Sequence, residues 1–553
     1  MSSIPFKALA VAPALSSYVL VQHRPDALLF SRPTYLGTFV QLYFLEFIVW
    51  AIYKVMLYPR FFSPMRHLPK PPGGSFWNGH WKQITENATG QPMIEWVKNV
   101  PNNGIIRYNG MFNSERLLIT NPKALSEVLV TKNYNFVKPG YVTTFLGRLL
   151  GVGVLLAEGD EHKQQRKNLM PAFAFRHIKD LYPVFWNKSR DAVVQMTEDF
   201  EKAAVKNIEQ DAQSQWTFEV GEWASRATLD IIGIAALGED FGSIADPDTE
   251  LSKTYRIVFK PSKAAQLLGL LGLLLPSWLV TRLPIKRNGE IEAAAAIIRA
   301  TCRQRIRDKR NKLEKNALTD VDILSIALKS GGFSEENLVD QMMTFLAAGH
   351  ETTATAMTWA IYMLCLNPDI QTRLRNEIRE KLPGLEEQCD ITSQIIDNMP
   401  YLNAVCNEVL RYYPPVPLTI RDTCRDTTIV GEFVPKGTRV ILCPWAINKD
   451  TAQWGPDAAK FNPDRWLSSP ASANGGAPNN YSFLTFLHGP RSCIGQKFAQ
   501  AEFACLLAAW VGRFEYTLKN EEEYDERNIL IKGGVTAKPE KGLFVKAKVV
   551  AGW

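Results

Sequence analysis

Cysteine is missing from the chain before Cys302, and the eight from that position onward show no paired spacing. That pattern argues against a secreted-type disulfide scaffold and makes a reducing compartment the simpler setting. Glycine- and serine-rich linkers are lacking too, as are internal repeats, so nothing divides the 553 residues into separate modules. The length exceeds that of a usual single domain, although large single enzymes reach it. A net charge of +7 is small for so long a chain. Basic tracts interleaved with stacking aromatics are absent, which argues against nucleic acid as a partner. Nor are there four soft ligands at the regular spacing of a zinc or iron–sulfur site; the cysteines nearest Cys493 are Cys443 and Cys505.

What is present is one cysteine in the run Phe486-Leu487-His488-Gly489-Pro490-Arg491-Ser492-Cys493-Ile494-Gly495. A glycine-rich loop leads there into an apolar, helix-like stretch from Ile494 to Val511. Cys493 then sits where unpaired backbone N–H groups and the positive end of a helix dipole favour a thiolate. The residues leave two readings: a buried structural cysteine, as free cysteines usually are, or a single axial thiolate on haem iron. For the second, Gly489 and Gly495 let backbone approach a flat macrocycle, Arg491 pairs with a propionate, and Phe486 covers the sulfur face.

The flanking pattern Phe-x-x-Gly-x-Arg-x-Cys-x-Gly decides between them, because it resembles the haem-binding loop of the cytochrome P450 family. Three further elements of that family lie upstream in its order. Glu408-Val409-Leu410-Arg411, in a helix-like stretch that ends before Pro414-Pro415, places both charges on one face. It is similar to the family's Glu-x-x-Arg pair, and the resemblance implies Arg465, in Phe461-Asn462-Pro463-Asp464-Arg465-Trp466, as third partner of a buried ion network behind the haem. Spacing alone would make it an exposed helix pair. Ala347-Ala348-Gly349-His350-Glu351-Thr352-Thr353 lies in a periodic segment running from after Ser334 to Pro368. There Gly349 is expected to weaken the helical ladder and open a groove. The resemblance implies Glu351 and Thr352 as the acid and alcohol that relay protons to the oxygen site.

The third element is Gly159-Asp160-Glu161-His162-Lys163-Gln164-Gln165-Arg166-Lys167, followed by Pro171-Ala172-Phe173. His162 stands where many family members carry Trp, and an imidazole N–H makes a comparable propionate contact. The resemblance implies Arg166 and Arg421 as further propionate partners. Lys163, Arg166, Lys167 and Lys497 read either as a solvated helix face or as a proximal patch for an acidic redox partner. Asn448 departs from the family's frequent His. The match runs from roughly Pro64 to the C-terminus, and the four motifs in order are far more specific than any one.

A largely apolar stretch, Leu36 to Tyr53, is long enough to cross most of a bilayer despite Gln41 and Glu46. Lys54, Arg60, Arg66 and Lys70 follow it as a cytosolic flank would. Residues 1–32 are expected as a lumenal segment, 33–57 as a single transmembrane anchor, 58–75 as a proline-rich linker and 76–553 as the catalytic domain. The earlier apolar stretch, Ala8 to Val21, is expected to be too short to span and to break at Pro13. Leu267 to Leu275 reads either as a core helix or as a loop touching the membrane surface.

The remaining pattern is mainly α with a minor β region, as the cytochrome P450 fold implies: a helical body around a buried haem. Hairpins are expected for Ile105–Tyr108 with Leu117–Thr120, and for Thr428–Val434 with Thr438–Leu442 around Pro435-Lys436-Gly437. By resemblance the function is a haem-thiolate monooxygenase that inserts one oxygen atom from dioxygen into an apolar organic substrate, in specialised (secondary) metabolite biosynthesis of the fungal kind. It would carry haem b and draw electrons from NADPH through a separate cytochrome P450 reductase, since no flavin-binding motif follows the cysteine loop. The expected form is a monomer on the endoplasmic reticulum membrane with a cytosolic catalytic domain. Substrate-facing residues are expected at Phe345, Ala348, Leu418, Thr419 and Val535, the last in the turn Gly533-Gly534-Val535-Thr536. Two alternatives remain: a haem-thiolate isomerase or dehydratase acting on a peroxide without reductase, and a non-enzymatic haem- or lipid-binding membrane protein.

Overall fold

Long segments with one or more apolar faces dominate the chain and fold as helices, in keeping with the 3.6-residue period. The computed structural model describes residues 6–23, 34–206, 216–259, 263–275, 277–385, 387, 391–467, 474–532 and 535–553. Its principal helices are α1 (Phe6–His23), α2 (Tyr35–Ile52), α3 (Gly159–Leu169), α4 (Val220–Ile232), α5 (Glu335–Leu366), α6 (Pro400–Tyr412) and α7 (Gln496–Arg513). The strands that bear on the site are β1 (Ile105–Asn109), β2 (Glu115–Ile119), β3 (Phe136–Val137), β4 (Thr419–Thr423), β5 (Thr427–Ile429), β6 (Glu432–Val434), β7 (Arg439–Leu442) and β8 (Lys538–Pro539). The main sheet has the order β1-β2-β7-β4-β3, with β2 and β7 parallel and the other pairs antiparallel.

α5 is the axis of the body. Ser334 caps it by accepting from the Asn337 N–H, and it stops before Pro368. Most of its residues from Leu338 to Cys365 are buried, including Trp359 and Tyr362. Such an all-round apolar helix belongs in the centre of a large core, and α4, α6 and α7 pack directly on it. The helix is unbroken across Gly349, contrary to the expected weakening. A Cβ at Gly349 would lie 2.9 Å from two side-chain carbons of Ile232, so this glycine serves the close approach of α4.

The hairpin at Ile105 and Leu117 forms in register, Ile105 opposite Ile119. The second expected hairpin does not. Val430 and Gly431 both take positive φ, 45° and 88°, the twist of a tight two-residue turn. Thr427–Ile429 therefore folds back on Glu432–Val434. The fully buried β7 pairs instead with β2 and β4, where its apolar face on both sides is covered.

At the N-terminus α1 continues through Pro13 without a break and packs against α2. α2 itself runs on as a widened π-type helix, Tyr53–Phe62, through Pro59, past the expected start of a linker at residue 58. Tyr35–Phe62 is 28 residues long and contains an 18-residue stretch of mean hydropathy 1.5, enough by length and composition to cross a membrane. Its end is clamped to the body: Arg107 Nη2 donates to the Pro59 carbonyl at 2.5 Å and Asn113 Nδ2 to the Val55 carbonyl at 3.0 Å.

Candidate haem-thiolate active site

Cys493 precedes α7 in a loop closed on itself, its N–H donating to the Phe486 carbonyl at 2.9 Å. Gly489 within that loop has φ 77°, and a Cβ there would lie 2.3 Å from the Leu129 carbonyl oxygen; only glycine fits such an approach. Gly495, by contrast, meets only the Phe173 ring at 3.8 Å. Burial pushes the Cys493 thiol above its ordinary pKa, outweighing the Gly495 N–H and the Arg166 guanidinium, which pull it down. A metal cation bound at the sulfur would act in the opposite direction and favour the thiolate.

Although Cys493 lies deep in the protein, its surface is open. The same is true of Ala348, midway along the otherwise buried α5. Phe173 links the two segments, touching the position of Gly495 and stacking edge-on with Phe345, one turn before Ala348, at 5.2 Å. Open surface on two segments so placed marks an internal opening between the cysteine loop and α5. Leu418 and Thr419 are half-buried, Phe345 is buried and Val535 is exposed. Gly533 and Gly534 lie outside the described residues.

A cluster of cations lies beside this opening. Arg491 Nη1 donates to the Phe136 carbonyl at 2.7 Å and its guanidinium pairs with Glu158. Arg421, on β4, donates from Nη1 to Thr419 Oγ1 and the Ile420 carbonyl. Burial, then Arg491, brings it down to about 10. Lys138 is held at about 7 by burial and by Arg421, with Nζ 3.8 Å from Glu158. His162 is buried, 3.2 Å from the Tyr134 hydroxyl through Nδ1. Burial, then Arg491, Lys138 and Arg166, brings it down to about 4, so its ring is neutral near pH 7. Glu158 is the acidic group that pairs with this set, and Arg491 Nε has no hydrogen-bond partner. Several buried cations around one carboxylate call for further anions. The two propionates of a haem would fit that need, and the open cysteine sulfur suits its iron. Among the described residues no group of three or more His, Cys, Asp or Glu side chains is arranged to hold a metal.

Arg166, expected among these partners, bonds elsewhere: Nη1 donates to the Ser492 carbonyl at 2.6 Å and Nη2 approaches Ser492 Oγ at 3.3 Å. It braces the cysteine loop. Lys138, Tyr134 and Glu158 were not legible beforehand, because they sit in irregular segments that no spacing singles out.

Behind the loop, Glu408 and Arg411 are both fully buried. Arg411 Nε and Nη2 each donate to Glu408 at 2.8 Å, Arg465 Nε at 3.1 Å, Trp466 Nε1 at 2.9 Å and the Asn462 N–H at 2.7 Å. Arg411 also caps the carbonyls of Asn448, Ala458 and Lys460. Asn448, fully buried, joins this network to the cysteine loop: Nδ2 donates to Thr485 Oγ1 and Oδ1 accepts from the Leu484 N–H, both at 2.8 Å.

On α5 the acid and the alcohol turn to different partners. Thr352 Oγ1 donates to the Ala348 carbonyl at 2.8 Å, an i−4 back-bond. Glu351 accepts from Thr536 Oγ1 and from Lys538 Nζ, each at 2.9 Å. Thr536 belongs to the turn expected to face substrate, yet it is buried against this carboxylate.

The family model described as Cytochrome P450 matches residues 69–546. Cytochrome P450 monooxygenase sphH of Aspergillus fumigatus is 47% identical over 508 residues, covering 91% of each chain. Cytochrome P450 monooxygenase ALT8 of Alternaria alternata is 44% identical over 91% of this chain and 93% of its own. Cytochrome P450 monooxygenase buaD of Petromyces alliaceus is 41% identical over 97% of both. With a cysteine loop open to the interior, a cation cluster suited to propionates and family likeness over most of its length, this chain belongs to the cytochrome P450 family and is an enzyme of its monooxygenase class.

Proposed function

We propose that this cytochrome P450 holds haem b through Cys493 and inserts one oxygen atom into an apolar organic substrate while anchored to the endoplasmic reticulum membrane. The observation that carries this reading is the open Cys493 sulfur set against the exposed Ala348 of α5 in an otherwise buried interior. When bound, the haem supplies the redox-active iron at which dioxygen is reduced. The chain does the rest. Arg421, Arg491, Lys138, Tyr134 and His162 hold the propionates, and Arg166 fixes the Ser492 backbone beside the ligand. Glu408, Arg411 and Arg465 keep the segment behind the loop rigid.

Glu351 and Thr352 hold protons on the α5 side of the opening. Lys538, about one-third exposed on β8, links the buried carboxylate to solvent, so protons enter at the Lys538–Glu351 contact. Phe345, Ala348, Leu418, Thr419 and Val535 line the substrate side, and their apolar or small surfaces suit a lipophilic molecule. Electrons come from NADPH through a separate reductase, docked near Lys163, Lys167 and Lys497, all exposed. The fungal sources of the relatives support a role in specialised metabolite biosynthesis.

The test is the carbon monoxide difference spectrum of the reduced protein. A Soret maximum at the long wavelength of thiolate coordination is expected, and its loss in Cys493→His with haem retained. A long-wavelength band that survives Cys493→His would sink the assignment. Product formation should require both NADPH and reductase, and Thr352→Ala should uncouple dioxygen use from product.

A further inference from the structure

Helix α1 is built the wrong way round for water. Its buried positions are Leu9, Pro13 and Ser17, four residues apart on one face; on α2 the buried residue is Thr38, with Gly37 beside it half-buried. The other faces expose bulky apolar groups: Val11 (59%), Leu15 (66%) and Val19 on α1, and Leu36 (74%), Phe44 and Val49 on α2. A helical pair in water buries its large apolar side chains and turns hydroxyls outward. In hydrocarbon the preference inverts. Acyl chains solvate bulky apolar surface as well as another helix does, so small and hydroxyl-bearing residues line the seam. Ser17 Oγ there donates to the Ala14 carbonyl at 3.0 Å, so that this hydroxyl is satisfied within its own helix. A proline inside α1 also suits a membrane helix better than a soluble one.

Direction and length agree. The Tyr18 and Tyr35 rings stack at 6.1 Å, and Gln22 Nε2 donates to the Tyr35 hydroxyl at 3.0 Å. The end of α1 therefore lies beside the beginning of α2, and the pair is an antiparallel hairpin. The 18 residues of α1 extend about 27 Å, but its apolar part is the shorter Leu9–His23, so its polar ends sit at the edges of the ~30 Å hydrocarbon layer. Charge agrees as well. Lys7, Lys54, Arg60 and Arg66 lie at the free end of the hairpin against Arg24 and Arg32 in the connection between the helices, a bias in the direction that the preference of basic residues for the cytosolic side requires.

We propose that α1 is a second membrane-embedded helix whose outer face is covered by the hydrocarbon interior of the bilayer, so that the N-terminus lies on the same side as the catalytic body. This rests on the reading of α2 as the anchor, and it replaces a lumenal placement of residues 1–32 and a single span. The full chain, carrying a long N-terminal glycine-serine extension with an Asn-X-Thr acceptor, is expressed in eukaryotic cells and its microsomes are isolated. Expected are resistance to alkaline carbonate extraction, no glycan on the extension, and removal of the extension by protease added to sealed vesicles. Deleting residues 1–23 behind the same extension leaves α2 to span alone and should bring the glycan on. A glycan on the full-length extension, with the catalytic body still protease-accessible, overturns the hairpin and leaves the α2 anchor standing. No glycan on either carbonate-resistant chain also overturns it. Release by carbonate removes the anchor reading itself and the hairpin with it.

Discussion

Glu351 and Lys538 are held 2.9 Å apart, carboxylate oxygen to ammonium nitrogen, while Thr352, the next residue, turns its hydroxyl to the Ala348 carbonyl. The two side chains that flank one peptide bond thus serve different sides of α5. Glu351 faces outward to a partly exposed lysine; Thr352 faces the opening. A carboxylate so paired is available as a proton store only while its cation orients it. Replacing Lys538 with Met should lower product formed per NADPH oxidised by about 10-fold, below the ~10²–10⁴-fold typical of removing a general acid outright. Substrate affinity from a binding titration should stay constant. Equal coupling in the variant and the parent would remove Lys538 from the proton route.

The glycine of the cysteine loop makes a sharper prediction. Gly489→Ala places a methyl 2.3 Å from a backbone oxygen at φ 77°, so the loop must move and Cys493 with it. Gly431→Ala has φ 88° but nothing within 4 Å, and it should lose only the left-handed backbone cost, about 1–2 kcal/mol. Urea unfolding and haem content together separate the two. Gly431→Ala should retain full haem with a lowered midpoint, and Gly489→Ala should lose haem.

Glu408 accepts five hydrogen bonds at zero exposure. Removing its charge by Glu408→Gln leaves Arg411 buried without a counter-charge, and breaking a buried pair in this way costs about 3–5 kcal/mol. Arg465→Met should cost clearly less, because Glu408 keeps Arg411, Trp466 and Asn462 as donors. Thermal unfolding of both variants gives the order; a larger loss for Arg465→Met would contradict the network's hierarchy.

The sequence carried much of this site and not the rest, for physical reasons. Glu408, Arg411 and Arg465 could be named together because helical spacing and a family motif record them. Lys138, Tyr134 and Glu158 could not, since their roles arise from where β3 and the start of α3 meet the cysteine loop, a tertiary event without a local period. The second hairpin was misplaced because Pro435-Lys436-Gly437 looks like the stronger turn, whereas Val430-Gly431 supplies the two positive φ values that a tight hairpin needs. Pro13 was expected to break α1, an expectation suited to water and not to a helix paired inside a membrane. The role of Gly349 was likewise hidden until α4 was seen against α5.

Away from the opening, Lys449 offers a test by pH. Its ammonium lies 3.9 Å from the centre of the Tyr412 ring and 4.6 Å from that of Tyr413, whose hydroxyls donate to Glu526. Burial, opposed by Glu526, lowers Lys449 to about 8. Because the folded pKa lies below that of the unfolded chain, near 10.4, the unfolded state binds more protons between the two values. Stability contributed by this residue therefore rises with pH across that window, and the cost of charging it is fully present below about 8. Lys449→Met removes the titration. The variant should gain stability over the parent at about pH 7, and the gap should narrow by up to about 2 kcal/mol at about pH 9.5, since each pKa unit is worth ~1.36 kcal/mol. The side chain's residual exposure trims that figure. Urea unfolding of both proteins at the two pH values decides the matter: a gap independent of pH means that the ammonium keeps its ordinary pKa and that the tyrosine rings fully replace its water.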